Sequence, residues 1–356
     1  MTAASVQPSA VRRLLSFAVK LLLTAGAIYL LLTHPVRNNS GESVIALRAI
    51  LDYLPQIDSR TFWYFAFTAF TVRACGIVSS MLRWSWLLRG QGIHFRGWHI
   101  VTTFLIGRFL GTFLPSTIGL DGYKLYDAAR FSGRTVEATA ATVIEKGVGI
   151  IGMFLCFLIT LPLGYTILGE RAALIAIVTV PVALLIIVMF FLIAFQPSII
   201  TAGLERLTPL QGGRVAGVLQ RVNTAAAAYR GQKQLLIGAV LLSFLVHFCT
   251  AATYYFTAIA VGAKHAAFWE VGFASTIQIF ATVMSPFTIA GEGVREIVQA
   301  LLLAHRIGME QSILSAALGF WAAEAPTLIG GFFYLGRKAD YRPVVELMPL
   351  VNAERS

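Results

Sequence analysis

Long apolar runs broken by short polar punctuation dominate the chain. Near 12–33, 61–88, 137–163, 172–196, 234–263 and 310–336 the sequence carries almost no charge. About 20 such residues suffice for a helix to cross roughly 30 Å of hydrocarbon, so each run predicts a full membrane span. Two further apolar stretches, 98–118 and 268–304, are interrupted by proline, glycine and charge. Irregular backbone at membrane depth is tolerated only where protein or a wet cavity satisfies its amides and carbonyls. These two stretches therefore predict re-entrant hairpins with a cavity at hand.

Composition narrows the class. The chain is 57% hydrophobic and 13% charged, with a mean hydropathy of +0.75, far from the balance of a water-soluble domain. Its net charge of +11 is spread over loops between spans rather than gathered on one soluble element, which argues against nucleic acid as partner. Cys75, Cys156 and Cys249 fall inside spans without a C-x-x-C pair; they read as packing residues, and neither a metal nor a cofactor is expected. Arg12 and Arg13 precede the first apolar run as in a signal peptide, but Lys20 interrupts it and no A-x-A cleavage site follows. The first helix is read as retained.

Charge placement sets the orientation. Arg12 and Arg13, then Arg83, Arg89 and Arg96, then Arg130 and Arg134 fall on one side, followed there by Arg206, Arg214, Arg221, Arg230, Lys233, Arg337, Lys338 and Arg342. The positive-inside rule makes that side cytoplasmic, together with both termini. Had 98–118 and 268–304 each crossed once, the basic 130s segment and the 205–233 loop would face outward, against the rule. The reading is all-α: a polytopic bundle of about six full spans plus two re-entrant broken helical hairpins, the first dipping from the cytoplasm and the second from outside. The chain is one transmembrane domain over 1–356, with 34–60 an external amphipathic connection, 197–233 a basic cytoplasmic loop and 339–356 a cytoplasmic tail. A bacterial inner membrane is the expected location.

An internal match strengthens this plan. PSTIGLDGYK at 115–124 and PFTIAGEGVR at 286–295 agree at Pro115/Pro286, Thr117/Thr288, Ile118/Ile289 and Gly122/Gly293. Asp121/Glu292 and Lys124/Arg295 agree in charge. The same offset of 171 carries the start of the 61–88 run onto that of 234–263. Each half, about 61–165 and about 234–338, then reads as span, broken hairpin, span, with Gly133 and Gly308 ahead of the closing helices. Because 61–88 runs inward and 234–263 outward, the halves are inverted repeats, a recurrent plan of transporters.

The same residues resemble a known family. F-L-P-S-T-I-G-L-D-G-Y-K at 113–124, A-A-T-V-I-E-K-G-V-G at 140–149, S-P-F-T-I-A-G-E-G-V-R-E at 285–296 and G-G-F-F-Y-L-G-R-K at 330–338 are similar to the lysylphosphatidylglycerol synthase transmembrane region, also called the flippase-like domain. The likeness runs from about 12 to 338. Members show Gly-Gly-Asp-x-x-Arg where this chain has Gly119 to Lys124, and an acidic-Arg pair where it has Glu145 and Lys146. Charge is kept, while the planar bidentate guanidinium is lost. In two-domain members the membrane part resembles a flippase for aminoacylated phosphatidylglycerol and a soluble domain attaches the amino acid. The resemblance therefore implies a stand-alone lipid handler that does not aminoacylate.

Charges inside spans are the candidate chemistry, since each costs roughly 2.5–3.5 kcal/mol to insert. Arg108, Lys124 and Arg295 are the expected phosphate contacts, aided by amides after Pro115 and Pro286. Asp121, Glu292 and Glu296 complete the substrate-binding set. Asp121–Lys124 and Glu292–Arg295, spaced i,i+3, could equally pair with each other. Pro115, Gly119, Gly122, Pro286, Gly291 and Gly293 are the hinge candidates. Glu145, Glu324 and Arg73 are candidates for coupling; either carboxylate could accept a proton or neutralise Arg73 or Arg108. His247 reads as a hydrogen-bonded packing residue rather than a relay. Trp63, Tyr64, Trp84, Trp86, Trp98 and Trp269 read as interfacial belt residues.

A lipid flippase or polyprenyl-lipid translocase is the leading expectation, and not an enzyme. A membrane-embedded lipid transferase and a scaffold for a lipid-pathway enzyme are the rivals. The expected partners are membrane lipids, with a separately encoded lipid-biosynthetic enzyme and a second copy of the chain as further candidates.

Overall fold

The computed structural model describes residues 10–37, 43–113, 118–169, 172–195, 227, 229, 231–284 and 293–337. Pro115, Pro286, Gly291, Glu292, Lys338, the 339–356 tail and most of the 197–233 loop lie outside the described residues. The others fold as helices α1 (Ala10–Thr33), α2 (Ala46–Tyr53), α3 (Ser59–Gly90), α4 (Gly97–Phe113), α5 (Ile118–Ser132), α6 (Thr135–Leu168), α7 (Ala172–Phe195), α8 (Lys233–Ala260), α9 (Phe268–Met284), α10 (Val294–Ile307) and α11 (Met309–Gly336). Strands β1 (Pro35–Arg37) and β2 (Ser43–Ile45) form an antiparallel hairpin between α1 and α2. Among the described residues four helices, α3, α6, α8 and α11, are long and apolar enough to cross a membrane.

Boundaries follow local chemistry. Asp58 caps α3 by accepting from the amide and hydroxyl of Thr61 at 2.8 and 2.7 Å, which satisfies donors the first turn leaves open. Thr61 holds that exposed carboxyl below its usual pKa. Gly133 and Gly308, at φ +70° and +95°, turn the chain into α6 and α11 through a region closed to most side chains.

Side-chain contacts fix the helix directions. Arg73 meets Thr250 while Arg83 meets Ser243, so α3 and α8 are antiparallel. Tyr254 faces Gly319 and Thr257 donates to Ser315, so α11 opposes α8. Gly152 packs on Ser243, and Thr160 lies near Gly272 beside Ala251, so α6 runs with α8. Arg108 reaches Glu324 and Trp98 reaches Phe333, which sets α4 against α11. Phe273 packs on Gly164 and Phe280 on Phe157, which sets α9 against α6. It follows that α4 and α9 point in opposite directions along the bundle.

Each short helix folds back with its successor. His99 near the start of α4 meets Asp127 near the end of α5, and Glu270 near the start of α9 meets Arg306 at the end of α10. Gly97–Phe113 and Phe268–Met284 stand at the 171-residue offset that separates Pro115 from Pro286. The return limb of the first hairpin begins at Ile118.

Small residues let the two halves interlock. A Cβ on Gly330 would overlap the Leu105 carbonyl of α4, a backbone group with no freedom to yield. Gly330→Ala is therefore expected to destabilise by about 1–3 kcal/mol, read as a lower melting temperature in detergent. Gly97→Ala, where a Cβ meets open space, should leave it unchanged.

Candidate functional site

Described residues near the inner ends of the two hairpins converge on one cavity, Arg108 through its contact with Glu324. Arg108 lies toward the end of α4, Thr282 toward the end of α9, and Arg295 in the first turn of α10. There Arg73, Thr250, Thr253, Tyr254, Gln278, Thr282, Arg295 and Glu324 line a cavity of about 280 Å³.

Its wall is cationic and hydroxyl-rich. Arg73 Nη1 donates to Thr250 Oγ1 at 2.7 Å. Arg108 Nη2 donates to Glu324 Oε1 at 3.1 Å and to the Ala323 carbonyl at 3.0 Å. The Arg295 guanidinium lies 4.9 Å over the Phe320 ring, and Gln278 Nε2 donates to Tyr254 at 2.9 Å. Among the described residues, Arg73 Nε and Gln278 Oε1 are buried without a hydrogen-bond partner. Buried polar groups are ordinarily bonded, so this pair of atoms marks donor and acceptor capacity held in reserve. Among the described residues three guanidiniums stand against one carboxylate here, which suits an anion.

A second polar cluster pairs its charges internally, with Arg83 Nε left unbonded among the described residues. Glu145 of α6 receives Lys124 Nζ at 2.6 Å and Arg83 Nη2 at 3.3 Å. Arg83 Nη1 also donates to Ser243 Oγ at 2.8 Å. Asp121 takes Lys146 Nζ at 2.7 Å and Lys124 Nζ at 3.6 Å. Lys124 is 1% exposed, with its ammonium 5.5 Å from the centroids of both Trp84 and Phe104. Two like-built ties hold the hairpin bases. Asp127 accepts from Thr103 at 2.7 Å and makes charge contacts with His99 and Arg337 at 2.7 and 2.5 Å, and Glu270 accepts from Thr166 and Arg306 at 2.9 and 2.5 Å.

The expected site residues therefore divide. Arg73, Arg108, Arg295 and Glu324 converge on the cavity; Asp121, Lys124 and Glu145 belong to the second cluster. Glu145 neutralises Arg83 and Lys124 rather than Arg73 or Arg108, because Arg73 sits ten residues from Arg83, about 15 Å along α3. Lys124 pairs i,i+3 with Asp121, but Glu145 is its nearer partner. Glu296 bonds back to the Gly293 amide at 2.8 Å and caps α10 instead of facing the cavity. Of the hinge set, Gly293 has φ +82°, Gly119 is buried, and Gly122 faces open space.

Three side chains depart from their sequence reading. Trp84, expected in an interfacial belt, is fully buried beneath Lys124, because it adjoins Arg83 on the face that α6 and α8 cover. Cys75, expected to pack inside, is exposed on α3, where it and the neighbouring Gly76 both lie beside Cys249. Arg83 and Arg337, read as loop charges, are members of buried networks. Arg83 lies within the 61–88 run, so the cost of an intramembrane charge was a signal available for it. No comparable signal pointed to His99 or Asp127, whose partners are distant in sequence. His247 is bonded to the Gly149 carbonyl at 3.1 Å, as a packing residue would be.

Apolar helices of spanning length that bury paired charges, with a cationic cavity at their centre, define a multi-pass helical membrane protein. The sequence profile described as lysylphosphatidylglycerol synthase TM region matches residues 14–330, and the chain belongs to that family. No curated protein matches it significantly.

Proposed function

We propose that this chain is a lipid flippase of a bacterial inner membrane, carrying the phosphate-bearing headgroup of a phospholipid or polyprenyl-linked lipid between leaflets. The cavity lined by Arg73 and Arg295 carries the reading. A headgroup crossing hydrocarbon needs shelter for its charge, and guanidiniums match phosphate with paired, directional donors. Arg73 and Arg295 line the cavity directly, and Arg108 backs it through Glu324.

The same proposal takes the helices as two inverted repeats, α3–α6 and α8–α11, with α1 and α7 as the remaining spans and both termini cytoplasmic. Supporting it are the opposite directions of α4 and α9, and the short lengths of the hairpin limbs. At 15 and 14 residues, α5 and α10 rise only about 21–23 Å, short of the hydrocarbon thickness.

No reaction chemistry is assigned to the chain. Purified protein in liposomes with fluorescent-headgroup lipids is expected to accelerate exchange between leaflets. Chemically altered lipid without exchange would favour the transferase reading, and neither signal would favour a scaffold for a separate lipid-biosynthetic enzyme.

A further inference from the structure

A second cavity of about 450 Å³ opens between the end of α1 and the outer face of α10. Its walls are apolar, formed by Leu30, Leu31, Ile297, Leu301 and Ala304, while His34 and His305 stand at one end. Val36, Ala46 and Ala300, all buried, form its floor. At the other end Ala27 of α1 packs directly on Gly293, the cap of α10, and closes the groove toward the middle of the bundle.

The lips of this groove face hydrocarbon. Leu301 is 75% exposed and Leu30 67%, and α1 continues the same surface through Leu22 and Leu23, both exposed. A groove that is apolar along its length, polar at the end beside the α1–β1 turn, and blocked at the deep end has the shape of one lipid chain lying along a helix. Its volume falls within the roughly 300–1,000 Å³ of ordinary ligand sites. Lipid is the one abundant apolar ligand in contact with such lips.

We propose that the α1–α10 groove is a binding site for a hydrocarbon chain of a membrane lipid, whose polar end lies between His34 and His305. Arg295 leaves the same helix toward the central cavity, so the lipid in the groove is held one helix thickness from the headgroup site. The groove is a separate site, and its occupancy does not depend on the translocation reading.

The test uses full-length protein in nanodiscs containing a phospholipid with a photoactivatable diazirine midway along one acyl chain. Adducts mapped by peptide mass spectrometry are expected to concentrate on 30–34 and 297–305. The exposed face of α7, Ile177, Leu184 and Leu185, gives the background of an ordinary lipid contact. Groove adducts should exceed that background at least tenfold in the wild type, and Ala304→Trp, which fills the groove, should return them to it while the α7 adducts stay constant. Equal labelling of groove and α7 in the wild type would overturn the site without need of any variant. Groove adducts unchanged by Ala304→Trp in a protein of unchanged melting temperature would overturn it as well. Strong groove labelling in a protein that exchanges no lipid would leave the groove standing and remove the flippase reading alone.

Discussion

Glu145→Ala is expected to destabilise the protein by about 3–5 kcal/mol, the range measured when one partner of a buried ion pair is removed. Both Arg83 and Lys124 lean on this one carboxylate, and both are buried. With the carboxylate gone, the two cations keep, among the described residues, Ser243, Ser80 and Asp121 at 3.6 Å from Lys124 as polar neighbours. Thermal unfolding in detergent should show the loss as the largest drop of any single substitution in the bundle. Replacing Arg83, Lys124 and Glu145 together by methionine removes the uncompensated charge and is expected to restore most of the stability. A Glu145→Ala protein as stable as the wild type would mean that water or another carboxylate already serves these cations.

Arg295→Ala and Arg73→Ala are expected to have the largest effect on lipid movement. Each removes a charged donor from the cavity wall, worth about 1.5–3 kcal/mol per bond to an anion. That corresponds to a fall of roughly tenfold to a hundredfold in exchange rate. Arg295→Lys keeps charge and stem but loses the planar fork, so partial recovery is expected. Lys146→Ala, on an exposed side chain outside the cavity, should change exchange little. Equal losses at Lys146 and Arg295 would mean that surface charge, rather than the cavity, governs the rate.

Much of this architecture was legible because its signals are local. The apolar runs gave the long helices nearly end to end, and the interrupted stretches marked α4–α5 and α9–α10. The match between 115–124 and 286–295 anticipated two hairpins of equal build. What it could not convey was partner choice. Lys124 and Arg295 occupy equivalent places in the two matched segments, yet one lies against Glu145 and the other against Phe320, because the helices packed against them differ. Trp84 and Arg83 read as span-end residues, since the end of α3 extends beyond the hydrocarbon only if nothing covers it. Here Tyr229 and Gln232, which donate to the Leu87 and Gly90 carbonyls, do cover it. The clamp of Asp127 by His99 and Arg337 ties the first hairpin to the far end of the chain, and nothing periodic announces it.

The account rests on two helical hairpins that enter the bilayer from opposite faces and meet at an arginine-lined chamber. Single cysteines at Gly97, Val136, Lys264 and His305, all exposed near hairpin bases, test this in a chain whose three native cysteines are replaced. A membrane-impermeant maleimide added to sealed vesicles of known orientation should label 97 and 136 from one face only, and 264 and 305 from the other only. Labelling of 97 and 136 from opposite faces, or of all four from the same face, would contradict the account.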